Sequence, residues 1–303
     1  MQENILDVSN SKSQNKQESF LSKIKEEFAI TLEIETPVSQ QISRKIAEFE
    51  KEASNIFFTP ISCQENYSGN YDNYVSKTLS HISSFNNLTY EKALLNPDIY
   101  QNYPSKEIKN CLNSNKKLIL LDLDETLIHS EYDLNDKSIN VYDKIIRFKD
   151  NCNEYHKIGI FVRKGVQKFL TILNNYYNIG IFTASEKEYA DAIIRYLDPN
   201  KNIIKFCLYR NNCINVNDLI NIKYLRIIKD IDLKKIVLID NNMYSFSAEL
   251  SNGVLINSFY GDKNDDELFN VLEYLIEFIS PAKDVREINE KFFGFKRIAE
   301  QMQ

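Results

Sequence analysis

Asp122 and Asp124 are separated by a single leucine and follow the apolar run Leu118–Leu121 in the stretch KKLILLDLDETLIHS, residues 116–130. A solvated acidic turn needs no such apolar lead-in, and a buried strand does not ordinarily gather carboxylates at its end, because an unpaired buried charge is costly. Side chains of extended chain alternate with period two, so both aspartates can face one side while Leu123 turns into the core. The stretch is suited to holding a cation. Two further apolar runs end in oxygen-bearing side chains: FTAS presents Thr183, and LIDN presents Asp240 and Asn241. Hard oxygen donors with no nearby His or Cys favour magnesium over zinc. Lys223 stands upstream of the last run, in NIKYLRIIKDIDLKKIVLIDN, on a segment able to fold back toward the same edge.

These residues need elements to position them. From Lys116 onward, strand-like runs such as KLILLD and NIGIFTAS alternate with helical patterns such as GVQKFLTILNNYY and EKEYADAIIRYL. Continuous Ile/Val/Leu runs separated by helices predict an open α/β fold, a parallel sheet with helices on both faces. Ser185 and Glu188 form a capping box opening one helix, which Asp198-Pro199 closes. In such sheets a ligand sits beyond the carboxyl ends of the strands, where the candidate residues lie. The stretch from Tyr142 to Gly165 reads as a β-hairpin or small three-stranded insert, far too small for a cap domain.

Composition narrows the classes. The chain has 303 residues, 43% of them hydrophobic, enough for one large domain plus an extension. A net charge of −6 argues against direct nucleic-acid binding. Five cysteines without zinc-ligand spacing, Cys207 and Cys213 being the close pair, indicate reduced packing thiols. With no secretory pattern and no membrane-length apolar stretch, the expectation is a nuclear or cytoplasmic protein, neither secreted nor in a membrane. The texture changes near residue 112. Residues 1–112 read as a mostly disordered extension, and 113–303 as the α/β domain. One amphipathic helix is expected near 37–57, capped by Thr36 and opened by Pro37, with Val38, Ile42, Ile46 and Phe49 on one face. It would dock on the domain, self-associate or bind a regulatory protein.

LDLDETL, FTAS and LIDN together resemble the haloacid dehalogenase superfamily of aspartyl-phosphate phosphatases. VRKGVQKFL, TASEKEYADAIIRYLD, YRNNC, KYLRIIKDIDLKKIVLIDN and SFYGDKNDDEL, in that order over about residues 115–290, resemble more narrowly the small phosphatases of the RNA polymerase II C-terminal domain, the NLI-interacting-factor-like family. The resemblance implies a magnesium-dependent phosphatase of phosphoserine or phosphothreonine in flexible protein segments. Asp122 would be the nucleophile, and Asp124 would protonate the leaving alkoxide and later deprotonate water. Thr183 would bond a phosphoryl oxygen and Lys223 would neutralise charge. Magnesium would be held by the Asp122 carboxylate, the Asp124 carbonyl and the Asn241 side chain, supported by Asp240. A cation is needed because like charges a few ångströms apart repel by several kcal/mol at intermediate dielectric. Arg210, in YRNNC, would either grip substrate or pair with an acid. A weakly active phosphoprotein-binding module and a small-metabolite phosphatase are the alternatives, the latter weakened by the missing cap. The chain departs from the family pattern at Tyr224, Asn242 and Met243, which bears on the posture of Lys223 and Asn241.

Overall fold

The computed structural model describes Val75, residues 77–80, Ile82, Ile108 and residues 112–132, 141–216, 220–229 and 231–301. The helix expected near 37–57 lies outside the described residues. In the described part, β1 (Lys117–Leu121) leads through a turn into β2 (Ile128–Glu131), β3 (Lys144–Lys149) and β4 (Tyr155–Val162). Then come α1 (Val166–Tyr176), β5 (Tyr177–Phe182), α2 (Lys187–Leu197), β6 (Ile204–Leu208), β7 (Ile214–Val216) and β8 (Ile220–Ile222). β9 (Ile236–Asp240), a kinked 3-10 segment (Met243–Asn252), β10 (Gly253–Leu255), α3 (Glu267–Tyr274), α4 (Val285–Phe292) and α5 (Phe295–Gln301) complete it.

The central sheet has five strands in the order β10-β9-β1-β5-β6, each pair parallel. Its three inner strands are mostly apolar because both faces are covered: all of β5 and β9 is buried, as is β1 beyond Lys117. The chain winds outward from β1 to β5 and β6, then returns to β9 and β10 on the other side. This reversal beside β1 opens a crevice at the carboxyl ends of β1 and β9. The α/β architecture is the one the sequence leads to, and so is the insert, a three-stranded antiparallel sheet ordered β2-β4-β3. Gly159 lets the insert close on itself, since a Cβ there would sit 2.5 Å from the Tyr142 ring. Among the described residues no helix is long and apolar enough to cross a membrane.

Two local expectations differ from the structure. Ser185 does not cap α2: Glu186 occupies the N-cap position, without a side-chain cap bond. Upstream of residue 112, Val75, Leu79, Ile82 and Ile108 are buried in the cluster that covers Leu118, Leu120, Ile236 and Leu238 of the sheet. Val75, Leu79 and Ile82 recur at helical spacing, and the polar runs around so short a stripe hid it from sequence inspection.

Candidate active site

The site begins where β1 ends. The Asp122 N–H donates to the Ile239 carbonyl at 3.0 Å, extending the pairing with β9 one residue past the strand. The chain then wraps around Leu123, whose carbonyl accepts the N–H groups of Thr126, Leu127 and Ile128 at 3.3, 2.8 and 3.1 Å. Leu123 is fully buried, as the alternation of side chains requires. Glu125 takes a left-handed backbone, φ 58°, to close the turn. It is held there by its N–H to Ile128 O at 2.7 Å and by its carbonyl, which accepts from Phe259 N at 2.8 Å. His129 lies 3.1 Å from Glu125 Oε1 and packs edge-on against Tyr260, a structural position.

Lys223 reaches the end of β1 from just beyond β8. Its backbone N–H donates to Ser245 O at 2.7 Å, and its ammonium donates to Asp122 Oδ1 at 2.6 Å and Asp240 Oδ2 at 2.5 Å. Lys223 and Asp240 are each 1% exposed, and Asp122 is 7% exposed. One cation thus serves two buried carboxylates. Burial raises the Asp122 carboxyl above its ordinary range; Lys223 opposes this, and Asp240 and Asp124 add to it. Burial alone would lower the Lys223 ammonium, but its two carboxylate partners outweigh that and hold it above the usual lysine range. Lys223 is therefore a fixed cation rather than a proton carrier.

Around this core the remaining strand ends are pinned. Asp240 Oδ1 accepts the Asn242 N–H at 2.7 Å. Asn241 Nδ2 donates to Ser258 Oγ at 3.0 Å, which leaves Oδ1 turned toward the β1 loop, where Thr126 Oγ1 donates to it at 3.2 Å. Asp122, Asp240 and Asn241 offer hard oxygens, the set that fits magnesium. At the end of β5, buried Thr183 accepts the Ser185 N–H on its hydroxyl oxygen at 3.1 Å, leaving its own proton to donate.

Asp124 lives differently from Asp122. It is half-buried, and both its oxygens are held by neutral hydroxyls: Ser185 Oγ donates to Oδ2 at 2.7 Å and Tyr189 OH donates to Oδ1. Arg210 is half-exposed, pairs with Glu186 at 3.0 Å and braces the Ala184 carbonyl at 2.6 Å.

Sequence reasoning assigned no role to Tyr189 or Arg163. Arg163 is fully buried and makes a two-pronged pair with Asp265 at 2.8 and 2.7 Å. It also donates to Thr126 O at 3.0 Å and Asn257 O at 2.8 Å, tying the loop after β1 to the chain after β10. The cue available was an arginine closing an apolar strand, with the acidic run DKNDDEL downstream.

The family described as "NLI interacting factor-like phosphatase" matches residues 117–286. The chain is 33% identical over 175 residues to CTD small phosphatase-like protein 3 of Caenorhabditis elegans, covering 56% of this chain and 57% of that protein. It is 34% identical over 190 residues to CTD nuclear envelope phosphatase 1B of Danio rerio, covering 59% of this chain and 74% of that one. It is 33% identical over 193 residues to CTD small phosphatase-like protein 2 of Dictyostelium discoideum, covering 62% of this chain but 32% of the relative.

Proposed function

The chain belongs to the NLI interacting factor-like phosphatase family, and from that premise we propose that it is a magnesium-dependent protein serine/threonine phosphatase acting through an aspartyl-phosphate on Asp122. The observation that carries the reading is the contrast at the end of β1: Asp122 on a fixed cation, Asp124 on two hydroxyls.

In the first step an Asp122 oxygen bonds to phosphorus as the ester P–O bond breaks, and Asp124 gives its proton to the departing serine or threonine oxygen. In the second, Asp124, now a carboxylate, takes a proton from the water that attacks phosphorus, and inorganic phosphate leaves with the Asp122 carboxylate restored. The Thr183 hydroxyl donates to a phosphoryl oxygen, and Lys223 balances the negative charge without changing protonation. Magnesium would be held by the Asp122 carboxylate, the Asp124 carbonyl and Asn241, with Asp240 in support; when bound, it neutralises the repulsion between carboxylate and phosphate.

The small insert β2-β4-β3 supports an open site suited to an extended protein segment rather than an enclosed metabolite. Relatives are named as CTD small phosphatases and nuclear envelope phosphatases, which makes the polymerase tail the first substrate to test and a nuclear or cytoplasmic setting the expected one. The experiment is turnover of an aryl phosphate by the full chain with magnesium and with EDTA, followed by specificity constants for Ser-phosphorylated tail repeats and a panel of sugar and nucleotide monophosphates. Turnover surviving EDTA sinks the metal requirement. A metabolite preferred by about tenfold, or about 1.4 kcal/mol of transition-state energy, sinks the protein substrate.

A further inference from the structure

We propose that Tyr189 is a positioning residue: it fixes the direction in which Asp124 delivers its proton and links that group to the antiparallel insert. The inference rests on the reading of Asp124 as general acid and base. The terminal torsion of an aspartate is broad and soft, so a carboxyl with no partners would sample many orientations. Here both oxygens are restrained, Oδ2 by Ser185 and Oδ1 by Tyr189. Ser185 is itself anchored through its N–H on Thr183 Oγ1 at 3.1 Å, so one restraint belongs to the loop after β5.

The other restraint comes through the insert. Tyr189 is 5% exposed on α2. Its ring meets Phe148 of β3 edge-on at 5.8 Å and stacks on Tyr132 at 6.2 Å, and its hydroxyl lies 2.8 Å from Ser130 Oγ of β2. The single Tyr189 hydroxyl proton goes to Asp124, so Ser130 is the donor in that last bond. Ser130, Tyr189 and Asp124 therefore form one ordered chain from the insert to the acid. Proton transfer demands that donor and acceptor meet within hydrogen-bond reach in the transition state. Removing the tyrosine hydroxyl would leave the carboxyl present but badly aimed.

A good leaving group departs without a proton, whereas an alkoxide does not. The test is therefore kcat/KM of the full chain, which reports steps through the first phosphoryl transfer, with an alkyl phosphate and with a dinitrophenyl phosphate. For Tyr189→Phe we expect the loss on the alkyl ester to exceed the loss on the activated ester by about tenfold or more, with Asp124→Asn as the reference showing the same asymmetry more strongly. Ser130→Ala, which removes the insert's partner of the Tyr189 hydroxyl, should show the same direction at smaller size and serves if Tyr189→Phe does not fold. Equal losses on both esters, or none, in Tyr189→Phe, or in Ser130→Ala where Tyr189→Phe does not fold, would overturn the role of Tyr189. If Asp124→Asn itself shows no asymmetry, the acid assignment falls and the inference with it, so the two failures are distinguishable.

Discussion

The two aspartates that open the site are separated by Leu123 alone, yet their surroundings have little in common. Asp122 sits in a dry triad with Lys223 and Asp240, where every partner is charged. Asp124 sits half in water, against the hydroxyls of Ser185 and Tyr189. The same side chain meets two settings that fit the two proposed tasks: beside a fixed cation, with magnesium to favour its ionised form, Asp122 suits attack, and a neutral hydroxyl cradle suits a group that must gain and lose a proton. The difference arises because residues 122 and 124 straddle the point where the pairing of β1 with β9 ends and the turn begins.

The sharpest way to break the contrast is Asp122→Asn, which keeps shape and removes the proposed nucleophile; turnover of an aryl phosphate should fall by about 10⁴-fold or more. An adduct mapped elsewhere than Asp122 would count against the assignment. Next in size is Lys223→Met, which leaves Asp122 and Asp240 buried without their cation. Breaking a buried pair in this way costs about 3–5 kcal/mol, to be read from the urea midpoint; a wild-type midpoint would show that the triad does not depend on the lysine.

A third test uses pH on magnesium-free protein. Burial, Asp240 and Asp124 hold the Asp122 carboxyl above its ordinary 3.8, at about 8. The folded state then keeps a proton that the unfolded chain has lost, so this group makes stability fall as the pH rises from about 4 toward about 8. Comparing urea midpoints at pH 5 and pH 8, Asp122→Asn should remove that component, and adding magnesium should reduce it by favouring the carboxylate. A slope identical in wild type and variant would place its origin elsewhere. The smallest effect is expected on the Asp124 side, where Ser185→Ala removes one neutral hydrogen bond and should cost only about 1 kcal/mol of stability. A loss as large as that of Lys223→Met would erase the distinction between the two halves.

Much of the fold was legible because parallel strands buried on both faces write themselves as continuous apolar runs, and their ends mark the crevice. Asp122, Asp124, Thr183, Asp240 and Asn241 could be picked out on that ground, and Lys223 by a segment able to fold back toward the same edge. The structure joins Asp122, Lys223 and Asp240 directly, and brings Asn241 to the same turn through Thr126. What escaped depends on packing between distant segments. Arg163 earns its place through Asp265, Thr126 and Asn257, and no local spacing announces those partners. Ser185 carried a strong local cap signal, yet its hydroxyl is used on Asp124, 61 positions away. A short-range preference worth about 1 kcal/mol can yield to a tertiary hydrogen bond of similar strength. The sequence leaves Arg210 two roles, gripping substrate or pairing with an acid; the structure pairs it with Glu186.

The position of β1 in the middle of the sheet bears on how the protein folds. Lys223 meets Asp122 across 101 positions of sequence, and both outer neighbours of β1 come from later in the chain. Contacts of such long range form late, because loop closure must precede them. Helices α1 and α2 can form early from local contacts while the ammonium and the two carboxylates are still far apart. During refolding, recovery of phosphatase turnover should therefore lag behind recovery of helical signal, so that catalysis reports the closing of the sheet rather than the collapse of the chain.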